Sequence, residues 1–307
     1  MYRPKDIIET IAANLRQTRN PFGIPNALVN RWWIDCDLPY TGDTLLFTGM
    51  MYQFIPYIEA STRVLEQYED TPWADYLRYA RYVPGIVSGL GLALVTPGRE
   101  KRKFNRILHD IVRILKASKV DFFYHPQLDQ YSGVLPYDLG DQKTFVRHAR
   151  WVANRLQSAG IRRLITVDPH TTYALKELYP KYTGIRFEVS PYFEKIDLPE
   201  AESTRTVTLH DPCFYGRYLG LSDVPEEKLA RLPCRPVPQC GSFTHCCGGP
   251  AESISPKLAG EIGGRRMAQL ETTGAPLVAM CPICLGNLRK TGAEVADLSS
   301  VIADAMA

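Results

Sequence analysis

Residues 277–288 read LVAMCPICLGNL, an apolar run of strand length that stops at Cys281-Pro-Ile-Cys284 before a second apolar stretch begins. We read it as a buried strand, Leu277–Met280, that gives way to a helix at the CxxC. The first N–H groups of a helix have no partner within it, so they are available to donate to anionic sulfur. A thiolate is favoured at such a place.

The same pattern occurs earlier in the chain. Residues 164–176, LITVDPHTTYALK, align position for position with LVAMCPICLGNLR at 277–289, so Asp168 and Thr171 stand where Cys281 and Cys284 stand. Tyr131-Ser132-Gly133 takes the place of Cys246-Cys247-Gly248, and Gly49-Met50 that of Pro212-Cys213. The chain is therefore a repeat whose first half has lost its thiol ligands. Two uses of that half are open: a pocket at the strand ends built from Asp168, His170 and Ser132, or a partner that only packs. Loss of ligands is no evidence of a gained pocket, which favours packing.

Further strand candidates are Thr44–Phe47, Val120–Tyr124 and Val207–Leu209, with helices at Arg147–Ser158, Tyr173–Leu178 and Ala259–Leu270. Gly160 and Gly274 act as stops. Strands alternating with helices predict an α/β fold, with mostly parallel sheets in two pseudo-repeated domains after an N-terminal helical extension. The expected division is 1–43 for an amphipathic helix and linker, 44–199 for the emptied repeat and 200–307 for the cysteine-bearing repeat. The helix rests on Ile7, Ile8, Ile11 and Leu15, stopped at Asn20-Pro21. Residues 66–115 are a helical insertion without counterpart in the second half; core packing, an oligomer contact and a seat on a membrane subunit all fit it. The polar stretch Asp197–Arg205 is the expected linker.

The 307 residues carry a net charge of +3, too little for a nucleic-acid groove, and no basic stripe holds interleaved aromatics. The N-terminus has acidic residues where a signal peptide needs an apolar run. The longest apolar stretch, Tyr82–Thr96, is short and broken by glycines for a membrane span. Seven of eight cysteines fall in the last hundred residues, a local ligand set rather than a disulfide frame, so a reducing cytoplasm is expected, with any membrane association through a partner.

Cys213 is followed after 32 residues by Cys246-Cys247, and these after 33 more by Cys281 and Cys284. Cys213 closes a strand in His210-Asp-Pro-Cys213, so strand ends of one sheet can gather all three groups. Gly248-Gly249 permits close approach of backbone to a bulky group. Soft thiolates suit iron in both redox states, so the set reads as an iron–sulfur site. Zinc is the alternative; ordinary zinc ribbons use two CxxC knuckles, whereas this chain has one CxxC and one CC. His210, Arg217 and His245 flank the ligands and could bond cluster sulfur or serve in a turn. Cys36, Cys234 and Cys240 read as small buried hydrophobes.

HDPCFYGR, CCGGP and LVAMCPICLGNL together resemble the cysteine-rich CCG domain of heterodisulfide reductase B and D subunits and of quinone-linked dehydrogenase subunits in the same superfamily. The resemblance covers Val207 to about Arg289 and implies one noncubane [4Fe-4S] cluster on Cys213, Cys246, Cys247, Cys281 and Cys284. It also implies a redox subunit that reduces a disulfide or a quinone, or relays electrons, inside a complex. Asn20-Pro-Phe-Gly23 and Arg31-Trp32 look like the linker that in larger D-type subunits follows a ferredoxin domain. That implies a ferredoxin-type iron–sulfur subunit and other redox subunits as partners, and the charge run Arg99–Lys103 could dock one of them.

Overall fold

The computed structural model describes residues 3–197, 206–222 and 233–306; the side chain of Leu77 is not described. All but one residue of the expected linker, and the junction at 199/200, lie outside these ranges.

Two three-stranded parallel sheets organise the chain. In the first, β1 (Thr44–Phe47), β2 (Arg163–Thr166) and β3 (Glu188–Pro191) pair in that order, with Leu45 opposite Leu164 and Leu164 opposite Val189. In the second, β4 (Thr208–His210), β5 (Leu277–Ala279) and β6 (Val295–Asp297) repeat the order, with Leu209 opposite Val278 and Val278 opposite Ala296. Residues 120–124 do not form the expected strand. One bridge, Leu45 to Phe123, holds that segment beside β1, and the bridge from Val207 to Cys234 is its counterpart beside β4.

The helices among the described residues that matter here are α1 (Pro4–Thr18), α2 (Met51–Tyr68), α3 (Gly85–Val95), α4 (Gly98–Ala117), α5 (Gln142–Ser158), α6 (Pro169–Tyr173), α7 (Pro256–Glu271), α8 (Pro282–Arg289) and α9 (Leu298–Ala305). The expected helix at 173–178 is the π-turn Ala174–Leu178 that continues α6. Asp141 caps α5 by accepting from the Thr144 N–H, and Ser255 caps α7 from the Leu258 N–H.

Part of the insertion is structural. α4 presents Phe104, Ile107, Leu108, Ile111, Ile114 and Leu115 to the main core, which it shares with Leu46 and Ile165 of the first sheet and Val278, Leu285 and Leu288 of the second half. Arg113 donates to the Ala303 carbonyl and Ser300 to Asp110, tying α4 to α9. One apolar core therefore spans both repeats. The two halves meet with their strand-to-helix turns adjacent, which places the cysteines against the emptied repeat.

Candidate metal centre

The two repeats build the same local device with different chemistry. Two positions after β5 stands Cys281, whose sulfur caps α8 by accepting from the Cys284 N–H at 3.5 Å. Two positions after β2 stands Asp168, whose carboxylate caps α6 by accepting from the Thr171 N–H at 3.0 Å. Gly248 (φ +88°) precedes the short helix Gly249–Ser253, and Gly133 (φ +84°) precedes the turn Val134–Asp138. In the second half glycine is required twice over, by this φ and because a Cβ on Gly248 would meet the Ala259 carbonyl oxygen at 2.5 Å. At Gly249 a Cβ would meet Ile283 at 2.2 Å. The backbone beside Cys247 thus tolerates no side chain.

The five cysteines of the motif converge. Cys213 and Cys246, Cys246 and Cys247, Cys247 and Cys284, and Cys284 and Cys281 are neighbours close enough for their thiols to perturb one another, one linked chain of sulfurs drawn from three loops. Cys247, Cys281 and Cys284 are buried, while Cys213 and Cys246 are part-buried. Their acidities divide into two groups, with Cys246 and Cys281 lowered and the other three raised. The neighbouring thiols of Cys213 and Cys247, with the Gly248 N–H and the charge of Arg217, hold Cys246 well below the ordinary thiol range. Burial pushes Cys281 up, but the Cys284 bond and His170 outweigh it and bring Cys281 down to about 5. Cys213, Cys247 and Cys284 are pushed up, first by the neighbouring sulfur. An array in which neighbouring thiols, backbone N–H groups and nearby cationic side chains favour some thiolates is suited to a soft cation.

His210 lies in this group. One of its ring nitrogens lies within 4.8 Å of the Cys247 and Cys284 sulfurs. Its Nδ1 faces the Nε of buried Arg266 at 3.1 Å, and a guanidinium can only donate, so Nδ1 accepts and Nε2 carries the hydrogen. Burial, then the Arg266 charge, hold this imidazole down to about 3, hence neutral. Among the described residues Nε2 has no hydrogen-bond partner. Arg266 is itself fixed by the Gln239 carbonyl and Gln269. Arg217 is exposed and acts on Cys246 through charge, while His245 is exposed and bonds Gln269 at 2.9 Å. Cys36 is part-buried, with its thiol pushed up to about 11 by burial, and it, Cys234 and Cys240 all pack against the edge of the main core.

His170 belongs to the site although its own repeat carries no thiol. Its Nδ1 lies 3.7 Å from the Cys281 sulfur and 3.9 Å from the Asp168 carboxylate. Burial opposes a charge on this ring, but Cys281, Asp168 and Asp138 together raise it to about 9. Sequence reasoning weighed His170 only for a pocket of its own half, favoured a half that merely packs, and missed this contact. The available signal was its repeat position, which is that of Ile283 between the two CxxC cysteines. The rest of the emptied site is filled: a Cβ on Gly49 would meet the Thr171 hydroxyl at 2.1 Å, so no space for a ligand is left between them.

A cavity of about 440 Å³ borders these residues. His170, Asp138, Gly249 and Ile283 line it together with apolar residues such as Ile11 of α1, Phe54 of α2 and Leu92 of α3. Burial raises Asp138 to about 6, so near neutral pH the lining holds groups able to exchange a proton.

Residues 207–289 match the family model described as the CCG cysteine-rich domain. This part of the chain is a domain of that kind. The chain is 29% identical over 225 residues to a probable membrane-anchored ferredoxin of Chromohalobacter salexigens, covering 66% of this chain and 34% of the relative. It is 24% identical over 205 residues to a probable iron-sulfur-binding oxidoreductase, FadF, of Bacillus subtilis (62% and 29% coverage). Against the D chain of dihydromethanophenazine:CoB–CoM heterodisulfide reductase from Methanosarcina barkeri the identity is 28% over 180 residues (52% and 44%). The matched parts make up between about a third and under half of the length of these relatives.

Proposed function

We propose that this chain is an iron–sulfur redox subunit, in which Cys213, Cys246, Cys247, Cys281 and Cys284 hold one noncubane [4Fe-4S] cluster. The observation that carries the reading is the convergence of all five thiols into one linked, largely buried group. The residues fit that cofactor. Sulfur is the donor set, the glycines leave room for backbone close to it, and the His210 ring, with its Nε2–H unpartnered among the described residues, lies beside the sulfurs as an available hydrogen-bond donor. The names of the relatives, iron–sulfur oxidoreductases and a heterodisulfide reductase chain, agree with it. When bound, such a cluster supplies one-electron steps at a tuned potential.

The chain's own groups would do the rest. The Gly248 N–H on Cys246 and the Cys284 N–H on Cys281 stabilise anionic sulfur. His170 holds a proton beside Cys281 and faces the cavity, where it can pass that proton to an acceptor. The apolar cavity walls suit a quinone-like ring better than a charged disulfide. Electrons would arrive from a ferredoxin-type partner within a complex, as in the heterodisulfide-reductase-like reading.

Zinc is the second reading, favoured by the compact grouping of His210, Cys247 and Cys284. The Arg266 bond argues against His210 as a ligand, because the nitrogen left over carries its hydrogen. Anaerobic metal and acid-labile sulfide analysis with EPR of the oxidised protein, alongside Cys247→Ser, tests both. Equal iron and sulfide at [4Fe-4S] stoichiometry, with a signal altered in the variant, is expected. Zinc without sulfide overturns the redox reading.

A further inference from the structure

The part of the insertion outside the core is built unlike the rest of the surface. The 3₁₀ segment Pro72–Tyr82 exposes Trp73, Tyr76, Tyr79 and Tyr82, the last by 69%. α3 follows with the sequence GIVSGLGLALV, which has no charged residue. Ile86, Val87, Leu90 and Leu94 fall on one stripe of that helix, and all four are exposed, Leu94 by 86%.

This stripe is held outward by its own packing. On the opposite side of α3, a Cβ on Gly89 would meet the Gly23 carbonyl carbon at 2.3 Å, and one on Gly85 would meet Asn14 at 2.6 Å. The helix is therefore seated by backbone contact on α1 and the loop that follows it. The Gly85 N–H donates to Gln17, and Lys101 donates to the Ala93 carbonyl near the end of α3. Turning the apolar stripe inward would break that seat.

Around it the charge is one-sided. Residues 72–103 contain Arg78, Arg81, Arg99, Lys101, Arg102 and Lys103 against Asp75 and Glu100. Arg78 lies over the Tyr79 ring at 4.9 Å. Exposed Trp and Tyr beside an uncharged apolar helix and a basic rim are what an anionic lipid surface selects. α3 has eleven residues, and no helix among the described residues is long and apolar enough to cross a membrane, so the element would lie on a bilayer. A second copy is disfavoured as the occupant, because it would bring the same basic rim against this one.

We propose that residues 72–103 form a membrane-surface docking element whose occupant is an anionic bilayer. Leu92 and Ser88, on the inner side of α3, line the apolar cavity, so the docked helix brings that cavity to the lipid. Docking is independent of what the cysteines bind.

Flotation of the full chain with phosphatidylcholine vesicles, with and without phosphatidylglycerol, tests it. The chain should float with the anionic vesicles and be released by salt. Val87→Glu with Leu94→Glu, both at exposed positions, should weaken partitioning by about a hundredfold, roughly tenfold for each side chain. Arg99→Ser with Arg102→Ser should weaken it only for anionic vesicles. Melting curves check that each variant folds, and iron content is read in parallel. The proposal is overturned if the chain floats with neither vesicle, if the glutamate variant floats as well as the parent, or if the same variant abolishes a dimer while vesicles bind nothing.

Discussion

His170 Nδ1 and Cys281 Sγ lie 3.7 Å apart, although 111 positions separate them and they belong to different repeats. The half of the chain that lost its thiols therefore still serves the half that kept them. In the metal-free protein the contact pairs an imidazole raised to about 9 with a thiol lowered to about 5, each favouring the charged form of the other against the cost of burial.

From this contact follows an electrochemical prediction. If Cys281 holds the proposed cluster, replacing His170 with Leu removes a donor and a positive charge beside that sulfur, which disfavours the more negative reduced state. The reduction potential should fall by roughly 50–100 mV, with iron and sulfide content unchanged. Potentiometric titration followed by EPR measures it. An unchanged potential would mean that the ring only fills space.

Asp129 yields a prediction on stability and pH. Its carboxylate is fully buried and accepts from the Thr48 and Gly49 N–H groups and the Thr48 and Tyr124 hydroxyls, fixing the turn after β1. Burial outweighs those bonds and raises it to about 6. A carboxyl raised on folding contributes fully below its unfolded value near 4, and this contribution is lost as pH rises through 6, a change of about 3 kcal/mol. Asp129→Asn should flatten that part of the pH profile. Asp129→Ala leaves the Thr48 and Gly49 N–H groups and the Thr48 hydroxyl without this acceptor, while Tyr124 keeps Asn30 Oδ1, and should cost roughly 3–5 kcal/mol at pH 4 and less as the pH rises through 6. Urea unfolding at pH 4 to 7 compares the three proteins.

Two glycines separate backbone strain from contact. Gly248 at φ +88° and Gly292 at φ +90° share the left-handed conformation, but a Cβ on Gly292 meets nothing among the described residues within 4 Å. Gly292→Ala should therefore cost only about 1–2 kcal/mol. Gly248→Ala should cost clearly more and reduce bound iron, because the added carbon meets the Ala259 carbonyl next to Cys247. Thermal melts and iron analysis give both readouts. Equal losses in the two variants would remove the close approach from the account.

The sequence by itself determined the α/β order, the repeat and the five-cysteine set. These are local signals: apolar runs at β1, β2 and β5, glycine stops after α5 and α7, and turn residues at matching offsets. β3 and β6 were illegible because Glu188-Val-Ser-Pro191 and Val295-Ala-Asp297 are short and carry no apolar run like those of β1, β2 and β5, and residues 120–124 look like a strand but contribute a single bridge. Three features were decided only by tertiary structure: the contact of His170 with Cys281, the tautomer that Arg266 imposes on His210, and the outward aim of the apolar stripe on α3. Each joins residues far apart in the chain or depends on which face of an element meets a neighbour. Periodicity says that a helix is apolar, but only packing, here Gly85 and Gly89 against α1 and its following loop, decides which apolar residues meet water.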